Sequence, residues 1–261
     1  MTDFVNSLFS LKNKNAIITG GTRGIGASIA EGLAGAGAHV ILLQRDLSNT
    51  TTADRIKKAG GQATIIECDL GVNSQVNNVV PKVLKIVDHI DILINCGGIQ
   101  RRFPAEDFPE QDWDDVLQIN LKSVFLLIRN VGKHMLTSDR KGRGNGKIIS
   151  IASLVSFQGG LTVPAYTAAK HGITGITKSF ANEWSSKGIN VNAIAPGYIA
   201  TDMTDALMKD ENRSRQIMER IPAQRWGKPS DFMGPVIFLS SPASDYVCGD
   251  CMLVDGGWMG R

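Results

Sequence analysis

No apolar run in this 261-residue chain is longer than a strand, and the stretch from Val40 to Leu43 is typical. A membrane helix needs roughly 20 such residues, so no spanning segment is expected and the chain reads as soluble. Cysteine is scarce: Cys68, Cys96, Cys248 and Cys251 are too few and too unevenly spaced to form a disulfide framework. Cys248 and Cys251 make a CxxC, but no second pair accompanies it, and His39, His89, His134 and His171 are scattered. No metal site is expected, therefore, and these thiols read as ordinary residues near a buried strand. An excess of one charge is also missing, since 28 basic residues face 25 acidic ones for a net +3 with no basic stripe. That argues against a nucleic-acid partner. Residues 1–14 lack a continuous apolar segment and Met259-Gly260-Arg261 is not a peroxisomal signal, so the cytoplasm is the expected location. Nor is there a linker, an internal repeat or a low-complexity tract, and one domain spanning 1–261 is expected.

What is present is alternation. Strand-like apolar runs occur at Asn15 to Thr19, Val40 to Leu43, Thr64 to Glu67, Ile90 to Asn95, Lys147 to Ile151, Asn190 to Ala195 and Met252 to Val254, with helical segments between them. Each run is nearly all apolar, as strands covered on both faces must be. The fold class expected is α/β: a doubly wound, seven-stranded parallel sheet with helices on both faces. One helix is predicted from Asp112 to Met135, and Thr201 to Ser230 reads as helices plus loop.

Thr19-Gly20-Gly21-Thr22-Arg23-Gly24-Ile25-Gly26 follows the first strand and opens a helix near Ile25. Glycine lets a pyrophosphate come close to the backbone, and the N–H groups of a helix start face that anion. The series therefore reads as a dinucleotide cradle. At the end of the second strand stand Gln44 and Arg45, where an acidic residue would hold the ribose hydroxyls of NAD. Arg45, helped by Arg23, favours NADP, with NAD left open because Asp46 could neutralise Arg45. Asp69 is placed either to accept from an adenine amine or to hold a turn.

Tyr166 and Lys170 are four apart on a helix that Pro164 starts, so they share a face. A free phenol titrates near 10, and a neighbouring ammonium is expected to draw it toward the working range. Ser153 lies just past the fifth strand, where ligands of such sheets collect, and Asn120 puts an amide that needs a partner into an apolar helix. Arg101 and Arg102 follow the fourth strand and could grip a substrate carboxylate. Gln158 and Tyr198 are further substrate candidates by placement.

With TGGTRGIG at 19–26, Asp69, NCGG at 95–98, Asn120, Ser153, YTAAK at 166–170 and PGYIAT at 196–201, nearly the whole chain resembles the short-chain dehydrogenase/reductase family. The resemblance implies a Rossmann-like fold and catalytic roles for Asn120, Ser153, Tyr166 and Lys170. Lys170 would also bind the nicotinamide ribose, Asn120 a relay water, and Thr201 the carboxamide. The cofactor contacts it implies include Gly20, Thr22, Arg23, Gly24, Ile25, Gly26, Leu70, Asn95, Gly97, Pro196, Gly197 and Ile199. Cys96 and Gly98 depart from the family's usual residues, and Cys96 could make the enzyme thiol-sensitive. Segments 99–108, 156–170, 190–202 and 220–235 resemble sugar-acid members, which usually take NAD, so Arg45 and the substrate segments pull apart. The expected reaction interconverts a secondary alcohol and a ketone on a small hydroxylated acid, under a lid at about 201–226. A general carbonyl or 3-oxoacyl reductase and a non-catalytic NAD(P)-sensing protein are the alternatives. The family also implies a homo-oligomer, tetramer or dimer, with Trp258 at an interface or beside a neighbour's site.

Overall fold

A computed structural model describes residues 2–139, 142 and 144–261; of the stretch read as 1–14, Met1 lies outside these. Strands β1 (Asn15–Thr19), β2 (His39–Gln44), β3 (Gln62–Glu67), β4 (Ile92–Asn95), β5 (Gly146–Ile151), β6 (Ile189–Pro196) and β7 (Cys251–Val254) form one sheet in the order β3-β2-β1-β4-β5-β6-β7. Every pairing is parallel. β1 is flanked by β2 and β4, so chain order reverses there and a crevice opens at the carboxyl ends of those strands. Residues of β1, β5 and β6 are buried throughout, as the apolar runs required.

Helices cover both faces. On one face α2 (Gly24–Gly35), α3 (Thr51–Lys58) and α11 (Met233–Ser240) bury Ile29, Leu33, Ile56 and Val236 against Ile18, Val40 and Leu42. The other carries α4 (Asn73–Asn77), α5 (Val79–Val83), α7 (Ser123–Thr137) and α8 (Pro164–Trp184), which pack Val79, Ile128 and Ile173 against Ile17, Ile41 and Leu93. Alternate strand residues therefore serve separate cores, and each fully buried Ile or Leu contributes about 1.5–3 kcal/mol.

Some elements differ from expectation. The N-terminal segment is a helix, α1 (Thr2–Phe9), which leaves Phe4 and Val5 exposed. The helix predicted from Asp112 to Met135 begins two residues earlier as α6 (Glu110–Leu117), widens into a π-helical turn over Gln118–Lys122, and resumes as α7. β4 starts two residues later than its apolar run, because Ile90 is core filler ahead of the ladder. The segment from Thr201 onward holds α9 (Asp205–Lys209) and α10 (Glu211–Arg220) with loops, as expected. Among the described residues no helix is long and apolar enough to cross a membrane.

Candidate active site

The glycine cradle joins β1 to α2. Gly20 and Gly24 adopt φ of +69° and +54°, which side chains rarely do. Thr19 Oγ1 accepts from the backbone N–H of Cys96 (3.0 Å) and Gly97 (2.9 Å), locking the ends of β1 and β4 together. A Cβ on Gly20 would lie 2.7 Å from the Gly97 backbone, and one on Gly26 only 2.1 Å from the Gly20 carbonyl oxygen. The first turn of α2 carries no acidic side chain, so none of its own residues competes with an anion for the N–H groups at its start. This cradle fits the pyrophosphate of a dinucleotide.

Around it the sequence candidates fall unevenly. Arg45 is exposed and has no ion pair or hydrogen bond among the described residues, while Asp46 turns its carboxylate to Ser48 N and Oγ at 2.9 and 2.6 Å. Asp46 therefore forms no ion pair with Arg45, and those Ser48 bonds hold its carboxyl below the usual range. Arg23 is engaged elsewhere, by Asp202 at 3.0 Å. Asp69 is a turn residue, its Oδ1 accepting from Gly71 N at 2.8 Å. Thr22 lends its carbonyl to Thr52 Oγ1 at 3.3 Å, and Leu70 lies close to Gly97. Asn95 is buried, gives Nδ2 to Ser150 Oγ at 3.2 Å, and keeps Oδ1 unpartnered. Gly197 bonds to Val254 O at 3.0 Å and Thr201 heads the turn over Asp202–Thr204, while the Ile199 side chain belongs to the core.

At the crevice, Ser153 sits two residues past β5, and its Oγ accepts from Val155 N at 3.3 Å. Pro164 begins α8 as expected, and the Ser153 side chain lies near enough to Tyr166 to favour its phenolate. Lys170 is buried, lies 5.4 Å from the centre of the Tyr166 ring, and donates to Ile151 O at 2.5 Å. Asn120 is fully satisfied: Oδ1 accepts from Ile99 N at 2.8 Å and Nδ2 donates to Ile99 O at 2.7 Å. The partner its amide demanded is thus backbone following β4, and the π-helical turn is where that amide is presented.

Burial dominates the titration of this group. It pushes the Tyr166 phenol up to about 12, against the downward pull of Ser153 and Arg102, and lowers the Lys170 ammonium to about 8. The expectation that Lys170 draws Tyr166 down is corrected: desolvation is the largest influence and raises the phenol, and the Lys170 ammonium bonds to Ile151 O. Desolvation likewise pushes the Cys96 thiol up to about 11, which keeps it protonated at neutral pH, while the residue stays partly exposed. A consequence can be measured without cofactor. Between pH 8 and the ordinary lysine value of 10.5, the unfolded chain binds more protons at Lys170 than the folded one. The Lys170 contribution to the unfolding free energy should therefore rise with pH across that window, by up to roughly 3 kcal/mol, against the opposite contribution of the raised thiols of Cys68, Cys96 and Cys251. Urea titrations of Lys170→Met should lack this slope; equal slopes in both proteins would contradict the assignment.

The two arginines separate. Arg101 Nε is tied to Asp112 Oδ1 at 2.9 Å, whereas Arg102 only touches Gln100 Oε1 at 3.2 Å, and its charge acts on Tyr166. Gln158 and Tyr198 do come together, around Trp258, whose Nε1 donates to Gln158 Oε1 at 3.5 Å. The Tyr198 ring lies 4.7 Å from Trp258 and 5.7 Å from Trp226. Trp258 is buried within its own chain, with Arg220 4.0 Å above its ring. Sequence reasoning had not placed Arg220 at this wall, and met Trp226 only as the end of the segment 201–226. Among the described residues no His, Cys, Asp and Glu group is arranged to hold a metal, and Cys248 accepts from Asn190 Nδ2 at 2.9 Å.

A parallel sheet with a glycine cradle at its reversal point, and a Ser–Tyr–Lys group beside it, defines an NAD(P)-dependent oxidoreductase. Residues 14–212 match the short chain dehydrogenase family, and the chain belongs to it. It is 48% identical over 258 residues to the 2-dehydro-3-deoxy-D-gluconate 5-dehydrogenase of Bacillus subtilis strain 168, covering 99% of each chain. A solved Agrobacterium tumefaciens structure, provisionally described as a 2-deoxy-D-gluconate 3-dehydrogenase with bound NADP, is 48% identical with a TM-score of 0.89, covering 97% of this chain and 99% of that one. The gluconate 5-dehydrogenase of Burkholderia cenocepacia J2315, solved with NADP and tartrate, is 37% identical with a TM-score of 0.92, covering 98% and 99%.

Proposed function

We propose that this enzyme interconverts a secondary alcohol and a ketone on a keto-deoxy sugar acid of the 2-dehydro-3-deoxy-D-gluconate type, with NADP as the preferred cofactor. The observation that carries the substrate reading is the near-full-length identity to the Bacillus enzyme. Sequence segments around the cleft pointed to 2-deoxy-D-gluconate 3-dehydrogenase or keto-deoxy-gluconate reductase activity; the Bacillus relative's name favours reaction at C5 over C3. The unpaired Arg45 and the NADP in two solved relatives support the cofactor.

The nicotinamide, when bound, supplies or accepts the hydride. Ser153 holds the substrate oxygen and Tyr166 exchanges its proton. With its pKa near 12, Tyr166 is a protonated donor suited to ketone reduction, and Ser153 and Arg102 favour its anion in the reverse direction. Lys170 also fits a role in holding the nicotinamide ribose, and Asn120, fixed by Ile99, orients the loop after β4. Arg102 is the carboxylate partner; Gln158, Tyr198 and Trp258 form the facing wall. The segment 201–226 closes over the substrate, within a single domain 1–261. Exposed Phe125 on α7 and Leu253 on β7 support a homo-oligomer, tetramer or dimer, through a helix face and the last strand. A soluble, cytoplasmic enzyme is the reading that agrees with this chemistry.

Nicotinamide absorbance assays on 2-dehydro-3-deoxy-D-gluconate, 2-deoxy-D-gluconate, gluconate and a 3-oxoacyl thioester, with NADP and NAD in parallel, test the proposal. The first substrate should show the highest kcat/KM; preference for the thioester would overturn it. Arg102→Gln should raise KM for acidic substrates about tenfold or more, the cost of one charge-assisted contact. Arg101→Gln, already committed to Asp112, should change it little. Equal effects on acidic and neutral substrates would remove Arg102 from carboxylate binding.

A further inference from the structure

The loop that carries Arg45 is held by one buried side chain. Gln44, the last residue of β2, is only 6% exposed and shares its strand face with Val40 and Leu42, against which α2 and α3 pack. Its Nε2 donates to the carbonyl oxygens of Asp46 at 2.6 Å and Asn49 at 2.8 Å, so both amide hydrogens are spent on closing residues 45–49 into a fixed turn. Ser48 fastens Asp46 inside the same turn. The far end of the loop is tied to the glycine cradle, because Thr52, buried at the start of α3, donates to the Thr22 carbonyl. Two residues before Gln44, Leu42 touches the cradle directly: a Cβ on Gly21 would lie 2.6 Å from its Cδ2. The only residue of this turn with a strong cation is Arg45, exposed and with no partner among the described residues.

From this arrangement we infer that Gln44 is a positioning residue for cofactor choice: it sets the 45–49 turn so that Arg45 stands ready for a 2′-phosphate. The inference rests on the NADP reading above. Its chemistry is specific to an amide, since two carbonyl oxygens can be met only by a donor. A glutamate here would set acceptors against acceptors, and a methionine of similar length would offer no donor. In either case the turn loosens and Arg45 loses a fixed position, while the cradle that binds the shared pyrophosphate is untouched.

Titration of NADPH and NADH by nicotinamide fluorescence, in wild type, Gln44→Met, Arg45→Gln and the double variant, reads this directly. Wild type should bind NADPH more tightly. Gln44→Met should weaken NADPH by about tenfold or more, the worth of a charged hydrogen bond, and leave NADH nearly unchanged. In the Arg45→Gln background Gln44→Met should have no further effect on the ratio, the mark of two residues acting through one contact. A general loss of structure would weaken both nucleotides together, and Gln44→Leu, which also lacks a donor, serves if Gln44→Met does not fold. An NADPH preference that survives in the folded Gln44 variant overturns this inference alone. Wild-type binding that is equal for the two nucleotides, or favours NADH, overturns the NADP reading and this inference with it.

Discussion

Tyr166→Phe is expected to lower kcat by roughly 10²–10⁴, the range for loss of a positioned proton-transfer group, while leaving NADPH affinity nearly intact. The substitution deletes one oxygen. The ring remains beside Lys170, Ser153 keeps its bond from Val155 N, and Lys170 keeps the Ile151 carbonyl. An effect confined to kcat, with KM and fold preserved, is the signature of a group used in the transition state. Turnover retained at near wild-type rate, measured with the best substrate of the panel, would take the proton-transfer role from Tyr166.

The contrast between Tyr166 and Asn120 shows what the sequence could reveal. Tyr166 and Lys170 were legible because both sit on one helix, where spacing alone fixes their relation. Ser153 was legible because it follows a fully buried strand whose end defines the crevice. Asn120 was visible as a polar anomaly, yet its partner is the backbone of Ile99, brought near by the sheet, and the π-helical turn that presents it has no local signature. The strands could be read to within two residues because parallel strands with both faces covered must be apolar throughout. Their ends could not, since Ile90 is as buried as any ladder residue yet lies two residues ahead of β4. Charge relations were the least legible: adjacent Arg101 and Arg102 have the same chemistry, and only Asp112 on α6 distinguishes them. The direction of the Tyr166 shift was misjudged for a related reason. Counting a nearby ammonium ignores the desolvation that the same packing imposes.

Two alanine substitutions in α2 should move the protein in opposite directions. At Gly26 a Cβ would stand 2.1 Å from the Gly20 carbonyl oxygen, 2.8 Å from its carbon and 3.3 Å from Cys96 Sγ. The first two are backbone atoms of the cradle itself, so relief requires moving the loop that holds Gly20 at positive φ. Overpacking of this kind costs about 1–3 kcal/mol or more, a fall in Tm of several degrees at this chain length. It also displaces the N–H groups facing the pyrophosphate, so NADPH and NADH affinity should drop together, unlike the selective loss at Gln44. Gly35, at the other end of the same helix, meets nothing within 4 Å and has no positive φ. Alanine there reduces the freedom of the unfolded chain without strain and should stabilise by about 0.4–1 kcal/mol, with nucleotide binding unchanged. Thermal melts with parallel nucleotide titrations separate the two positions. If Gly26→Ala bound nucleotide as tightly as wild type, the N–H groups of this turn would not be what holds the pyrophosphate, and the clash with Gly20 would bear on stability alone.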